Sequence, residues 1–105
     1  MEYHFNEENF NNEVIKSDKP VMIDFYADWC GPCRMMGPVV AQLADEYDGK
    51  VKIGKVNTDE HPQLASSFRV ETIPFIAFLK DGKLVDSSIG VVPKSVLEDK
   101  LNKLL

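Results

Sequence analysis

The sequence predicts one α/β domain built on a mixed β-sheet, and three observations carry that prediction. Strand-like and helix-spaced stretches alternate along the chain, which demands crossover connections and a sheet covered on both faces. A short apolar run from Val21 to Ala27, broken only by Asp24, gives way at Trp29-Cys30-Gly31-Pro32-Cys33 to a helical spacing. Two strand-like runs flank Asp81-Gly82, a strong hairpin signal, so the last two strands are expected to be antiparallel. At 105 residues, 44% of them hydrophobic, the chain reads as a single domain over residues 1–105 that buries a core without staples.

Taken in order, Tyr3-His4-Phe5 reads as an edge strand, and Asn6 as the cap of a short amphipathic helix that turns Phe10, Val14 and Ile15 inward. His4 reads as an ordinary strand residue, and the Asn- and Glu-rich tract from Asn6 to Glu13 as a solvated helix face. Ser17-Asp18-Lys19-Pro20 turns the chain into the strand from Val21. After the cysteines, Met36, Val40, Leu43 and Tyr47 recur at helical steps, Pro32 suits the first turn, and Asp48-Gly49 supplies a stop. Pro38 falls inside this helix, where its missing N–H and its ring predict a kink. Val51 to Val56 reads as a second core strand, interrupted by Gly54 and Lys55, that leads through Asn57-Thr58-Asp59 into a short helix from Pro62 to Phe68. Phe75 to Leu79 and Lys83 to Ile89 form the hairpin. Pro93 then opens a last helix with Leu97, Leu101, Leu104 and Leu105 on its buried side and Lys100 and Lys103 near its negative end.

Composition narrows the function. The chain carries 12 Lys and Arg against 17 Asp and Glu, a formal charge of -5, with a sequence pI near 4.9. That balance argues against nucleic acid as a partner, and no cationic cluster suggests a membrane surface. No stretch approaches a membrane span, and residues 1–20 lack the basic and apolar regions of a secretory signal. A reducing, cytoplasmic setting is therefore expected, although a targeting segment already removed would leave the same reading.

Both cysteines stand where a strand hands over to a helix. The first turn of a helix leaves N–H groups unpaired and carries the positive end of the macrodipole, so a thiolate there is stabilised. Cys30, nearer the helix start, is expected to be the acidic and more exposed thiol, and only a thiolate attacks a disulfide. Cys33, one turn on, is placed to attack a mixed disulfide formed at Cys30. A zinc site needs about four ligands, and beyond the pair the chain offers only His4 and His61, without ligand spacing. A purely structural disulfide closing so short a loop would contribute only about 2 kcal/mol. Redox exchange is the reading that remains.

Phe25-Tyr26-Ala27-Asp28-Trp29-Cys30-Gly31-Pro32-Cys33, with Pro38, Lys55, Thr72-Ile73-Pro74, Asp81-Gly82 and Gly90, closely resembles the thioredoxin family over essentially the whole length. The resemblance implies a thioredoxin fold: a five-stranded sheet of order 1-3-2-4-5 with helices on both faces. It also implies a protein-disulfide reductase cycling between dithiol and a Cys30-Cys33 disulfide, with Cys30 attacking and Cys33 resolving. Asp24 would accept the Cys33 proton and Lys55 would tune it. Pro74 would be a cis-proline beside the pair, with the Ile73 backbone free to pair with an extended polypeptide. Trp29, Gly31, Pro32, Ile73, Pro74, Gly90 and Val91 would form a shallow apolar docking surface. The same resemblance implies no bound cofactor, a monomer, disulfide-containing target proteins, and a thioredoxin reductase that brings electrons from NADPH through a flavin. A ferredoxin-linked reductase stays open, as do an oxidase or isomerase role and a non-catalytic subunit of a larger complex. Three positions depart from the family: Tyr26 where Trp is frequent, Gly37 where Ala is common, and Phe75 where Thr often follows the proline. Phe75, taken to be closest to the substrate surface, is the one that bears on partner choice.

Overall fold

Burial on both faces explains why Val21–Tyr26 is apolar nearly throughout: every residue of this strand but Tyr26 is buried, and it runs through the middle of a five-stranded sheet. The computed structural model describes residues 1–105 in full. Its strands are β1 (Glu2–His4), β2 (Val21–Tyr26), β3 (Lys52–Asn57), β4 (Phe75–Lys80) and β5 (Lys83–Ile89), in the order β1-β3-β2-β4-β5. The helices are α1 (Gly31–Glu46), α2 (Pro62–Ser67) and α3 (Lys94–Asn102), with a π-helical turn at Asn11–Ile15. β1, β3 and β2 run parallel, while β2, β4 and β5 are antiparallel. This is the thioredoxin fold, with the expected order and mixed pairing. The Asp81-Gly82 hairpin is as read: both residues have positive φ, 53° and 76°, which is what a two-residue connection between twisted strands needs.

The sheet divides the core. One side gathers Phe5, Val14, Ile23, Phe25, Val56, Phe75 and Leu79 beneath the π turn and α2. The other gathers Met22, Ile53, Ile76 and Phe78 with Met36, Val40 and Leu43 of α1 and Leu97 and Leu101 of α3. Gly54, which interrupts the apolar pattern of β3, is where β1 presses in: a Cβ there would stand 2.7 Å from the Tyr3 carbonyl oxygen and 2.6 Å from Phe5 Cε2.

Several boundaries shift. β1 starts at Glu2 and ends at His4, with the Phe5 N–H continuing the ladder to the Lys55 carbonyl at 3.1 Å. Asn6 caps as expected, its side-chain oxygen accepting the Glu8 and Asn9 N–H groups at 2.9 Å each. The helix after it is π-wound, with the Lys16 N–H reaching back to the Asn11 carbonyl at 2.9 Å. The wider turn rotates the stripe, so Val14 is fully buried and Ile15 faces out. α1 runs unbroken through Pro38 and ends at Glu46, with Tyr47 as its C-cap, and Gly49, at φ 82°, lies in the turn that follows. α3 ends at Asn102, which leaves Leu104 half-buried and Leu105 exposed, and Lys100 turns to Asp86 of β5 at 3.1 Å. No helix is long and apolar enough to cross a membrane.

Candidate active site

The turn after β2 delivers Cys30 to the N-cap of α1. Its backbone is extended (φ −85°, ψ 111°) and its sulfur accepts the Cys33 N–H at 3.2 Å, one of the donors a helix start leaves free. Pro32 lies in the first turn, where no N–H is required. Cys30 and Cys33 form a disulfide across a Cα separation of 5.2 Å. Exposure does not separate the two sulfurs as expected: both residues are 4% exposed, because the bonded pair sits down between Ala27, Tyr26 and Ile73. What separates them is their surroundings. Cys30 Sγ stands 3.8 Å from the Ile73 carbonyl oxygen, whereas Cys33 forms part of the wall of a cavity behind the motif.

Ile73-Pro74 is a cis peptide bond, and Gly90, at φ 81°, donates its N–H to the Pro74 carbonyl at 2.9 Å. That bond lays the end of β5 beside the proline. Around the pair, Trp29 (67% exposed), Val91, Gly31 and Pro32 are exposed, while Ile73 and Gly90 are half-buried and Pro74 is buried. The Trp29 indole N–H donates to Asp59 at 2.9 Å, a partner thirty residues along the chain that nothing in the sequence pattern indicated. Phe75 faces away from this surface. It is buried against Phe25 (ring centroids 6.0 Å apart) in the core under α2, because β4 alternates and Phe75 falls on the inner side.

Asp24 lies in the middle of the sheet between Lys55 of β3 and Ile76 of β4, only 2% exposed, and its Oδ1 has no hydrogen-bond partner. Burial pushes its pKa up from 3.8 to about 7; the nearby Glu2 carboxylate adds to the rise and Lys55 works against it. Lys55 is half-buried, 5.3 Å from the Tyr26 ring centroid and 4.0 Å from Glu2. Behind the disulfide, a cavity of about 220 Å³ is lined by Tyr26, Ala27, Asp28, Cys33, Arg34, Gly37 and Lys55. Tyr26 and Gly37 thus fall on this one wall. A Cβ added at Gly37 would meet nothing within 4 Å. Glu2 and Arg34 were not legible as site residues: Glu2 belongs only through the β1–β3 register, and Arg34 through its Nη1 donating to the Asp28 carbonyl at 3.1 Å. His61 is taken up by Glu7 at 2.7 Å, and no group of three or more His, Cys, Asp or Glu side chains gathers to hold a metal.

The thioredoxin family model matches residues 2–103. Thioredoxin 1 of Nostoc sp. is 51% identical over 96 residues, covering 91% of this chain and 90% of that protein. The thioredoxin of Porphyra purpurea is 48% identical over 97 residues, 92% of this chain and 91% of its own length. The chloroplastic M-type thioredoxin of Pisum sativum is 46% identical over 100 residues, which span 95% of this chain and 58% of that longer one. The chain belongs to the thioredoxin family, and it is a thiol-disulfide oxidoreductase whose exchange chemistry resides in the Cys30-Cys33 pair.

Proposed function

We propose, with that membership as premise, that the chain is a general protein-disulfide reductase in which each site residue has a distinct role. The Cys30 thiolate attacks one sulfur of a target disulfide; a Cys30–target bond forms, the target's own S–S bond breaks, and the released target thiolate takes a proton from water. Cys33 then gives its proton to the Asp24 carboxylate and attacks the Cys30 sulfur. The Cys30–target bond breaks, the second target thiolate leaves and is protonated, and the Cys30-Cys33 disulfide remains, so two electrons have passed to the target. The observation that carries this reading is Asp24: a carboxyl buried in the sheet, lacking a partner for one oxygen, with a proton affinity raised to the operating range, one strand residue pair away from the cavity that holds Cys33.

Trp29, Gly31, Pro32, Ile73, Pro74, Gly90 and Val91 serve as the docking surface, and the exposed apolar groups among them suit many target proteins. The whole chain acts as one domain and one monomer, working in the cytoplasm. It holds no cofactor of its own and is recharged with electrons from NADPH by a flavoprotein thioredoxin reductase. The decisive experiment is a trapping pair. Cys33→Ser should accumulate mixed disulfides with target proteins and Cys30→Ser should not; equal trapping by both variants would reverse or abolish the assigned roles. Turnover restored by NADPH with a flavoprotein reductase, and not by a ferredoxin-linked one, tests the electron source.

A further inference from the structure

We propose that Glu2 is a positioning residue for the second half of exchange: from β1 it engages the Lys55 ammonium and keeps it from closing an ion pair with the buried Asp24 carboxyl, which stays able to take the Cys33 proton. The inference rests on the reading of Asp24 as proton acceptor and assigns a device that sustains it.

The sheet order is what makes the arrangement. β3 lies between β1 and β2, and Glu2 is in register with Ile53 while Asp24 is in register with Lys55. Neighbouring residues across strands, and alternate residues along one strand, share a face, so Glu2, Ile53, Lys55 and Asp24 all point to the α1 side. Lys55 thus has an acid on either flank, and its one ion pair is with Glu2. Its Nζ is 4.0 Å from Glu2 Oε1 and lies over the Tyr26 ring, while no ion pair joins it to Asp24. The Glu2 and Lys55 side chains are 22% and 31% exposed, so water weakens their attraction less than at an open surface. Were Lys55 free to close an ion pair with Asp24, its charge would favour the Asp24 carboxylate more strongly than it already does and drain the proton affinity that exchange requires.

The other groups facing this spot do not supply the same control. His4, in register with Lys55, is exposed on β1; Tyr26 of β2 offers a ring face; Cys33 and Arg34 of α1 and Asp28 before it lie around the cavity, with the Arg34 guanidinium turned to the Asp28 carbonyl. On the β4 side the register partner of Asp24 is the apolar Ile76. Among the charges felt by Asp24, Glu2 and Lys55 are the two that stand out, with opposite signs.

The test follows the Asp24 carboxyl by carbon NMR across pH in the parent, Glu2→Gln, Lys55→Gln and the double variant. Glu2→Gln should move the Asp24 midpoint to lower pH by roughly half a unit or more, through lost repulsion and through a released Lys55. Lys55→Gln should move it up. In the Lys55→Gln background, removal of Glu2 should produce a clearly smaller shift, since only the direct repulsion is left. An equal shift in both backgrounds would show that Glu2 does not act through Lys55 and would overturn the proposal, as would an unmoved midpoint in Glu2→Gln; neither result touches the role of Asp24. Single-turnover resolution of a mixed disulfide completes the test. Its rising limb with pH should move down together with the Asp24 midpoint in Glu2→Gln, which a merely structural change in β1 would not cause. A midpoint that moves while the rate profile stays fixed would overturn both the proposal and the acceptor reading beneath it.

Discussion

The two sides of the sheet bury cores of equal size, 11 residues each, and differ in what they tolerate. Under the π turn and α2 the interior is unbroken hydrocarbon and aromatic ring, with Phe25 held between Phe68 and Phe75 at centroid distances of 5.1 and 6.0 Å. Under α1 and α3 the same strand, β2, contributes Met22 and then Asp24, and the apolar layer ends in a carboxyl, a lysine and a cavity beneath the first turn of α1. Alternation along one strand therefore feeds a structural face and a chemical face at once. The uniformly apolar side supplies packing energy against which the other side can hold a destabilising buried carboxyl.

The largest expected effect breaks the chemical face alone. Cys30→Ser should abolish disulfide reduction completely, while urea unfolding of the reduced proteins should give nearly the same midpoint for parent and variant. Residual reduction of a disulfide substrate by this variant would mean that Cys33 can attack by itself. Next in size is a blow to the structural face. Phe25→Ala should cost about 3–5 kcal/mol in urea unfolding, from lost burial and the cavity left among Phe68 and Phe75. Molecules that remain folded should keep the parent's exchange rate, and a rate that collapses along with stability would show that the two faces are not separable.

Asp24→Asn should act with the opposite sign. The folded-state pKa of Asp24 is raised from 3.8 to about 7, so the folded protein binds more protons than the unfolded chain between those values. Stability is consequently lost as pH climbs through that window, and the full cost, on the order of 4 kcal/mol, is present above it. The amide removes that cost but leaves a buried polar group poorly paired, so a net gain of about 2 kcal/mol is expected at pH 8. The gain should shrink toward pH 4, and single-turnover resolution should slow. Unfolding of both proteins at the two pH values checks this; a gain independent of pH would mean that folding does not raise the proton affinity of the Asp24 carboxyl.

Much of this was legible because local rules and global fold agree. A run apolar on both faces announced β2, Asp81-Gly82 announced the hairpin, and the change of period at Cys30 marked the start of α1. The illegible parts depend on contacts between distant segments. Nothing local distinguishes the π turn from an α-helix, so the sequence spacing points Ile15 inward where the structure exposes it. Its place after Pro74 points Phe75 to the substrate surface, whereas the pleat turns it into the opposite core. Burial of both sulfurs to the same degree follows from how Ile73 and Ala27 close over the pair. Glu2 joined the site only through its strand register, which depends on how β1 pairs with β3.

The smallest effect separates two explanations for the looseness of the chemical face: a buried charge, or a missing methyl. Gly37 lies inside α1 on the cavity wall, and an added Cβ would meet nothing within 4 Å. Gly37→Ala should therefore stabilise the protein by about 0.5–1 kcal/mol, since alanine restricts the unfolded chain and favours the helix at no steric cost. If the methyl does only that, urea unfolding will give the same gain at pH 4 and pH 8. If it also displaces water from the neighbourhood of Asp24, it raises the proton affinity of that carboxyl further, and the added cost of holding it charged falls only at the higher pH. A gain at pH 4 that is smaller at pH 8 would then identify the cavity as part of the electrostatics of Asp24, and a faster or slower resolution step in the same variant would tie that cavity to exchange.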